Sequence, residues 1–202
     1  MTQVLVPTAR WARWVENFER SHGPASYDVR DGALHGVADD GSTVVARLPL
    51  GASYDGPAEP TAFVAAAGVP DDWGVLLVRK GGFAMARLAG TALGESKTGQ
   101  RHVQGRTKAG GQSQQRFARR RDNQARQAYE AAADHAARIL GGLRGPLVTG
   151  GDHGAVEEVL EDPRLRGVVR VEPWLAVPDP RRSVLEGAVA DAQALVVEVV
   201  NA

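Results

Sequence analysis

The sequence predicts an α/β protein: a mixed sheet flanked by helices, preceded by a small N-terminal α+β region. Three observations carry this reading. Apolar residues recur at helical spacing near the N-terminus and again after residue 113. Continuous apolar runs such as 73–79 have the length of buried strands. From residue 147 onward, strands and helices alternate, the order that builds an α/β domain. The bulk composition agrees, with 202 residues, 43% of them hydrophobic and 24% charged. That is enough apolar material for one large domain or two small ones.

The elements follow in chain order. Trp11, Trp14, Val15 and Phe18 recur at spacings of three and four, which predicts a helix over Ala9 to Arg20. Trp11 and Trp14 could stack on RNA bases, but on an amphipathic helix their ordinary place is the core. Short strands are expected at Tyr27–Val29, Leu34–Ala38 and Thr43–Leu48, separated by Asp31-Gly32 and by Asp39-Asp40-Gly41. Gly51 to Pro60 reads as a linker, and Thr61 to Ala67 as a short helix. The domain boundary is therefore expected near residue 57, with 1–57 as the α+β region and 58–202 as the larger domain.

Trp73 to Arg79 should be a buried strand, with Lys80-Gly81-Gly82 turning it into a returning strand over Phe83 to Leu88. Leu93 to Gly111 is polar, basic and glycine-rich, so it reads as a long loop. Ser113 to Leu140 is the strongest helix, capped by Ser113 and ended by Gly141-Gly142. It would be roughly 40 Å long. Beyond it, strands are expected at Leu147–Thr149, Val168–Val171 and Leu195–Val200, and helices at Ala155–Leu160 and Ser183–Ala192.

Several function classes are set aside. There is no cysteine, so disulfides and thiolate metal sites are excluded. The five histidines (His22, His35, His102, His135, His153) lack ligand spacing, and neither a metal nor a cofactor is expected. Gly94-Glu95-Ser96-Lys97-Thr98-Gly99-Gln100 resembles a shuffled phosphate loop but lacks the Walker spacing. Gly150-Gly151-Asp152-His153-Gly154 invites a metal or phosphate reading that nothing else supports. No Gly-x-Ser-x-Gly elbow is present. Met1 to Pro7 does not read as a signal peptide, and no apolar run approaches a membrane span. A cytoplasmic location is expected, with neither membrane nor DNA as partner.

Formal net charge is zero, yet Glu95 to Arg138 holds ten Lys/Arg against four Asp/Glu. One concentrated basic stretch in a neutral chain points to a local anionic partner. Within it stands Gly110-Gly111-Gln112-Ser113, followed by Gln114 and by Arg116-Phe117-Ala118-Arg119-Arg120-Arg121. Two glycines let the backbone take positive φ and approach another surface closely. The serine is a good helix N-cap. The arginines oppose the positive end of the helix dipole. A solvated face is the simpler reading of the arginines alone, but phosphate would resolve the conflict, since free N–H groups, dipole and guanidinium groups all favour the same anion.

Gly110-Gly111-Gln112-Ser113 with Arg116-Phe117-Ala118-Arg119 closely resembles the central domain of eukaryotic and archaeal class 1 translation release factors. Gly74 to Arg79, the hairpin and the basic loop match that domain's order upstream. Leu147 to Asp152 and Asp162-Pro163-Arg164-Leu165 match it downstream. The resemblance covers about residues 70 to 202 and looks closest to the actinobacterial branch of the VLRF group, which is similar to the eukaryotic ribosome-quality-control hydrolase. It implies an RNase H-like domain and a peptidyl-tRNA hydrolase working at the peptidyl-transferase centre of the large ribosomal subunit.

On this sequence the resemblance implies that Gly110 and Gly111 shape the loop. Gln112 would position water and stabilise the oxyanion through its backbone N–H. A Gln amide is no general base near neutral pH. The chemistry would then rest on positioning and on RNA groups around the ester. The quality-control relatives use Gly-x-x-Gln, which Gly111-Gln112-Ser113-Gln114 also satisfies. The arginine context favours Gln112, and Gln114 stays a candidate. Lys97, Arg101, Arg106, Lys108, Arg116, Arg119, Arg120 and Arg121 would contact ribosomal RNA or the tRNA acceptor end. No counterpart of the family's codon-reading domain is evident, so rescue of stalled or obstructed nascent-chain complexes is expected over stop-codon termination. Cleavage near the tRNA 3′ end and non-catalytic occupancy of idle ribosomes are the alternatives.

Overall fold

The computed structural model describes residues 2–100 and 129–202. The chain divides into two units, Met1–Val69 with Val189–Ala202, and Pro70–Ala188.

The first unit is a two-layer α+β structure. Its strands β1 (Thr2–Val6), β2 (Ala25–Arg30), β3 (Ala33–Ala38), β4 (Thr43–Arg47) and β10 (Leu195–Val200) form an antiparallel sheet in the order β1-β10-β4-β3-β2. Helix α1 (Trp11–His22) buries Trp11, Val15 and Phe18 of the predicted stripe, while Trp14, expected in the core with them, is half-buried at its edge. These pack with Val6, Leu34, Val44, Ala46, Leu195 and Val197 into one core. Each Val, Leu or Phe among these that is fully withdrawn from water contributes ~1.5–3 kcal/mol. A short helix α2 (Pro60–Ala65) adds Phe63, and the Trp11 indole donates to the Pro60 carbonyl at 2.8 Å. The Tyr27 hydroxyl donates to Glu19 at 3.0 Å, tying β2 to α1; burial and that carboxylate push the phenol up.

The second unit carries a mixed sheet of β5 (Trp73–Arg79), β6 (Gly82–Ala89), β7 (Ala92–Gln100), β8 (Pro146–Gly151) and β9 (Val169–Leu175). The order is β7-β6-β5-β8-β9. β5, β8 and β9 run parallel, while β6 and β7 return antiparallel. Six successive residues of β5 are buried, which requires cover on both faces. One face carries Leu76, Val78, Phe83, Met85 and Leu147 in a core shared with helix α3 (residues 129–140) and helix α4 (His153–Leu160). Tyr129, Ala132, Ala136, Ile139 and Leu140 form the buried stripe of α3 at helical spacing. Helix α5 (Arg182–Ala192) follows β9 in the chain.

Three expectations need correction. The boundary falls at Val69/Pro70 instead of near residue 57, because α2 and its Phe63 belong to the first core. The last strand does not complete the mixed sheet; β10 inserts between β1 and β4, with Val197 opposite both Val4 and Ala46. The long loop expected from Leu93 is strand up to Gln100, because its polar backbone gains hydrogen bonds along β6. β1, for which no element was expected, is held the same way by β10.

Candidate functional site

The segment 101–128 is bounded by the tip of β7 and by α3, and both flanks root in one core. At the tip, Gly99 lies opposite Phe83 and Gln100 opposite Gly82. A Cβ on Gly99 would stand 2.5 Å from the Phe83 ring, and one on Gly82 would stand 2.4 Å from the Gly99 carbonyl oxygen. Side-chain-free residues are therefore required for the two strand ends to close over Phe83. Tyr129, at the start of described α3, joins Phe83 and Met85 in the core. The His135 ring lies 5.6 Å from Phe83.

Ion pairs fix α3 from two sides. Arg138 on α3 pairs with Glu95 on β7. Arg164, in the turn Pro163–Leu165, reaches Asp134 on α3 and Asp162, both at 2.6 Å. The Arg164 guanidinium and backbone N–H together hold the Asp162 carboxyl down at about 2. Burial raises the Tyr129 phenol, and the negative charges of Asp152 and Glu158 add to the effect.

Of the residues expected to carry chemistry, Lys97 is described. It stands exposed on β7, opposite Met85, one residue from Ser96, whose hydroxyl accepts from Arg182 at 3.2 Å. Gly110, Gly111, Gln112 and Gln114 lie outside the described residues, as do Arg101, Arg106, Lys108, Arg116, Arg119, Arg120 and Arg121.

A second constellation was not foreseen. A cleft of about 460 Å³ is lined by Thr149, His153, Arg170, Val171, Glu172 and Trp174. It lies at the carboxyl end of β8, the position where open α/β sheets carry sites. The His153 imidazole stacks on Trp174, with centroids 3.6 Å apart and planes 13° from parallel. Asp152 caps α4 by accepting from the Gly154 N–H at 3.1 Å. Glu172 precedes a cis proline and accepts from the Trp174 N–H at 2.7 Å. His153 belongs to the glycine-rich run Gly150 to Gly154, but only the pairing of β8 with β9 brings Trp174 to it. Among the described residues, no group of three or more His, Asp or Glu is arranged to hold a metal ion. No helix among them is long and apolar enough to cross a membrane.

Comparison with solved structures finds similar chains at low identity. The crystal structure of an archaeal translation termination factor, aRF1, is 13% identical with a TM-score of 0.43; the match covers 95% of this chain and 64% of that one. This chain thus spans less than two thirds of the archaeal factor. The Vms1 mitochondrial localization core is 12% identical at a TM-score of 0.43, covering 96% and 84%. Archaeoglobus fulgidus Pelota is 11% identical at 0.31, covering 94% and 62%. No curated protein sequence matches significantly. The family model described as Actinobacteria/chloroflexi VLRF1 release factor matches residues 71–198, most of the chain and the whole mixed-sheet unit beyond its first residue. The chain belongs to the VLRF1 release-factor family of Actinobacteria and Chloroflexi.

Proposed function

We propose that this protein is a ribosome-associated peptidyl-tRNA hydrolase that frees nascent chains from stalled or obstructed ribosomes in the cytoplasm. The observation that carries the reading is Gly110-Gly111-Gln112 in the basic segment of a release-factor family member. The segment springs from β7 and ends in α3, so a firmly rooted pair of elements presents it. The unit Pro70–Ala188 is the hydrolase unit. Gly110 and Gly111 permit close approach to the tRNA 3′ end. Gln112 orients a water onto the ester carbon, and its backbone N–H stabilises the oxyanion. Lys97 and the arginines that follow bind the phosphates of ribosomal RNA or of the acceptor end at the peptidyl-transferase centre.

The test is purified protein added to ribosome–nascent-chain complexes, with peptide and tRNA resolved on a gel. Free peptide with intact tRNA is expected. Shortened tRNA would make the protein a nuclease, and tight binding without product would make it an occupancy factor; either overturns the proposal.

A further inference from the structure

Sheet edges expose unpaired backbone groups, and proteins protect them with charge, proline or irregularity. Three of the four edges here are protected. β2 carries Asp28 and Arg30. β7 carries Glu95 and Lys97 and shifts register against β6 between Ala86 and Leu88. β9 carries Arg170, Glu172 and Pro173. β1 differs. Its sequence Thr2-Gln3-Val4-Leu5-Val6 has no charge and no proline, and it pairs with β10 in unbroken register. Among the described residues, no strand pairs with its other edge.

Beside that edge runs a groove of about 740 Å³ between β1 and α1. Val4, Leu5 and Val6 form one wall, and the half-buried Trp14 forms part of the other. Trp14 is held flat by stacks on Trp11 at 5.4 Å and on Phe18 at 5.7 Å. Arg10 and Arg13 are exposed along the same groove, and neither has an ion pair among the described residues.

The geometry points to a peptide-docking site: an extended, acidic and apolar segment of a partner protein adds as a sixth strand on β1. Main-chain hydrogen bonds to β1 supply affinity, and every second side chain faces one side of the sheet and sets the register. Apolar residues at those positions fill the groove against Trp14, and Asp or Glu answers Arg10 and Arg13. A second copy of this chain fits less well, because its own β1 offers no carboxylate to the two arginines.

The experiment uses the full chain and two fluorescein-labelled peptides, Glu-Thr-Val-Thr-Val-Thr-Asp, whose acidic and apolar side chains share one face of an extended strand, and the same peptide with Lys replacing Glu and Asp. Fluorescence anisotropy measures affinity, and hydrogen exchange measures protection of residues 2–6. Binding of the acidic peptide is expected, about tenfold tighter than the lysine peptide. The amides of 2–6 should gain protection on binding. In the double variant Arg10→Glu/Arg13→Glu, checked by circular dichroism for a native spectrum, the preference should reverse. Equal affinity of the two peptides, no binding at ~1 mM, or protection elsewhere would overturn the inference. Displacement of the peptide by oligouridine would reassign the groove to RNA. Protection of 2–6 that rises with protein concentration alone would reassign it to self-association.

Discussion

Arg87 and Asp72 form a two-pronged ion pair, Nε to Oδ1 at 2.7 Å and Nη2 to Oδ2 at 2.9 Å. The same carboxylate accepts from the Arg144 N–H at 2.9 Å, while Arg87 reaches the Gly141 and Gly142 carbonyls at 3.3 and 3.4 Å. One side-chain pair thus joins the entry to β5, the middle of β6 and the C-terminal end of α3. Those contacts hold the carboxyl of Asp72 below its ordinary range, the Arg87 hydrogen bonds foremost.

Removing the pair should therefore destabilise the mixed-sheet unit. Asp72→Asn leaves Arg87 short of its anionic partner, and a loss of about 2 kcal/mol is expected, in line with hydrogen bonds to charged groups. The pH dependence has a definite sign. A carboxyl lowered on folding stabilises above its unfolded pKa and loses that contribution as pH falls through the folded one. Urea denaturation at pH 7 and in steps below pH 4 should show the gap between wild type and Asp72→Asn closing in acid. A gap that persists or widens there would rule out the linkage.

Much of this fold is legible in the chain because local pattern and burial agree. Trp73 to Arg79 is a continuous apolar run and is β5 to the residue; of the stripe Trp11, Trp14, Val15, Phe18, all but the half-buried Trp14 form the buried face of α1. β7 does not read as a strand because most of its residues are exposed and its stability comes from β6, a partner that composition does not reveal. β10 reads plainly as a strand, but an apolar run carries no mark of which sheet it joins, and its neighbours β1 and β4 come from the far end of the chain. The glycine-glycine-glutamine motif and the cleft differ likewise. Gly110-Gly111-Gln112 is a contiguous motif, whereas the His153–Trp174 stack exists only through strand pairing.

The closure over Phe83 yields a second prediction. Gly99→Ala would set a methyl 2.5 Å from the ring, so β7 or Phe83 must shift. Overpacking of this kind costs ~1–3 kcal/mol. Because Gly99 stands two residues before the basic segment, release activity should fall together with stability. Gly187→Ala is the control: its Cβ meets nothing within 4 Å and it lies inside α5, so stability should rise by up to ~1 kcal/mol. Thermal melts paired with release assays test both. Full activity in a destabilised Gly99→Ala would separate the strand tip from the chemistry.

The two candidate glutamines make different predictions. If Gln112 is the working residue, Gln112→Ala abolishes peptide release while ribosome binding, followed by co-sedimentation, is retained. Gln114→Ala should then release within a few-fold of wild type. A single lost transition-state donor is worth about 10²–10³ in rate, far outside that window. Wild-type release by Gln112→Ala with loss in Gln114→Ala would transfer the role to Gln114.

The basic stretch should declare itself through salt. Each phosphate contact displaces condensed counterions, so log affinity falls with log salt by ~0.7–0.9 per contact. Lys97 is exposed on β7 at the base of the segment, where Lys97→Gln changes charge without disturbing a core. Its slope should drop by about one contact, and that of Arg119→Gln/Arg120→Gln/Arg121→Gln by about three. Release at saturating protein should change little for Lys97→Gln, since a uniform binding contact alters affinity and leaves the bound-state step alone. Sedimentation of ribosomes with each variant across a salt series gives the slopes. Parallel lines for wild type and both variants would mean that these side chains do not meet phosphate, and the basic stretch would revert to a solvated face.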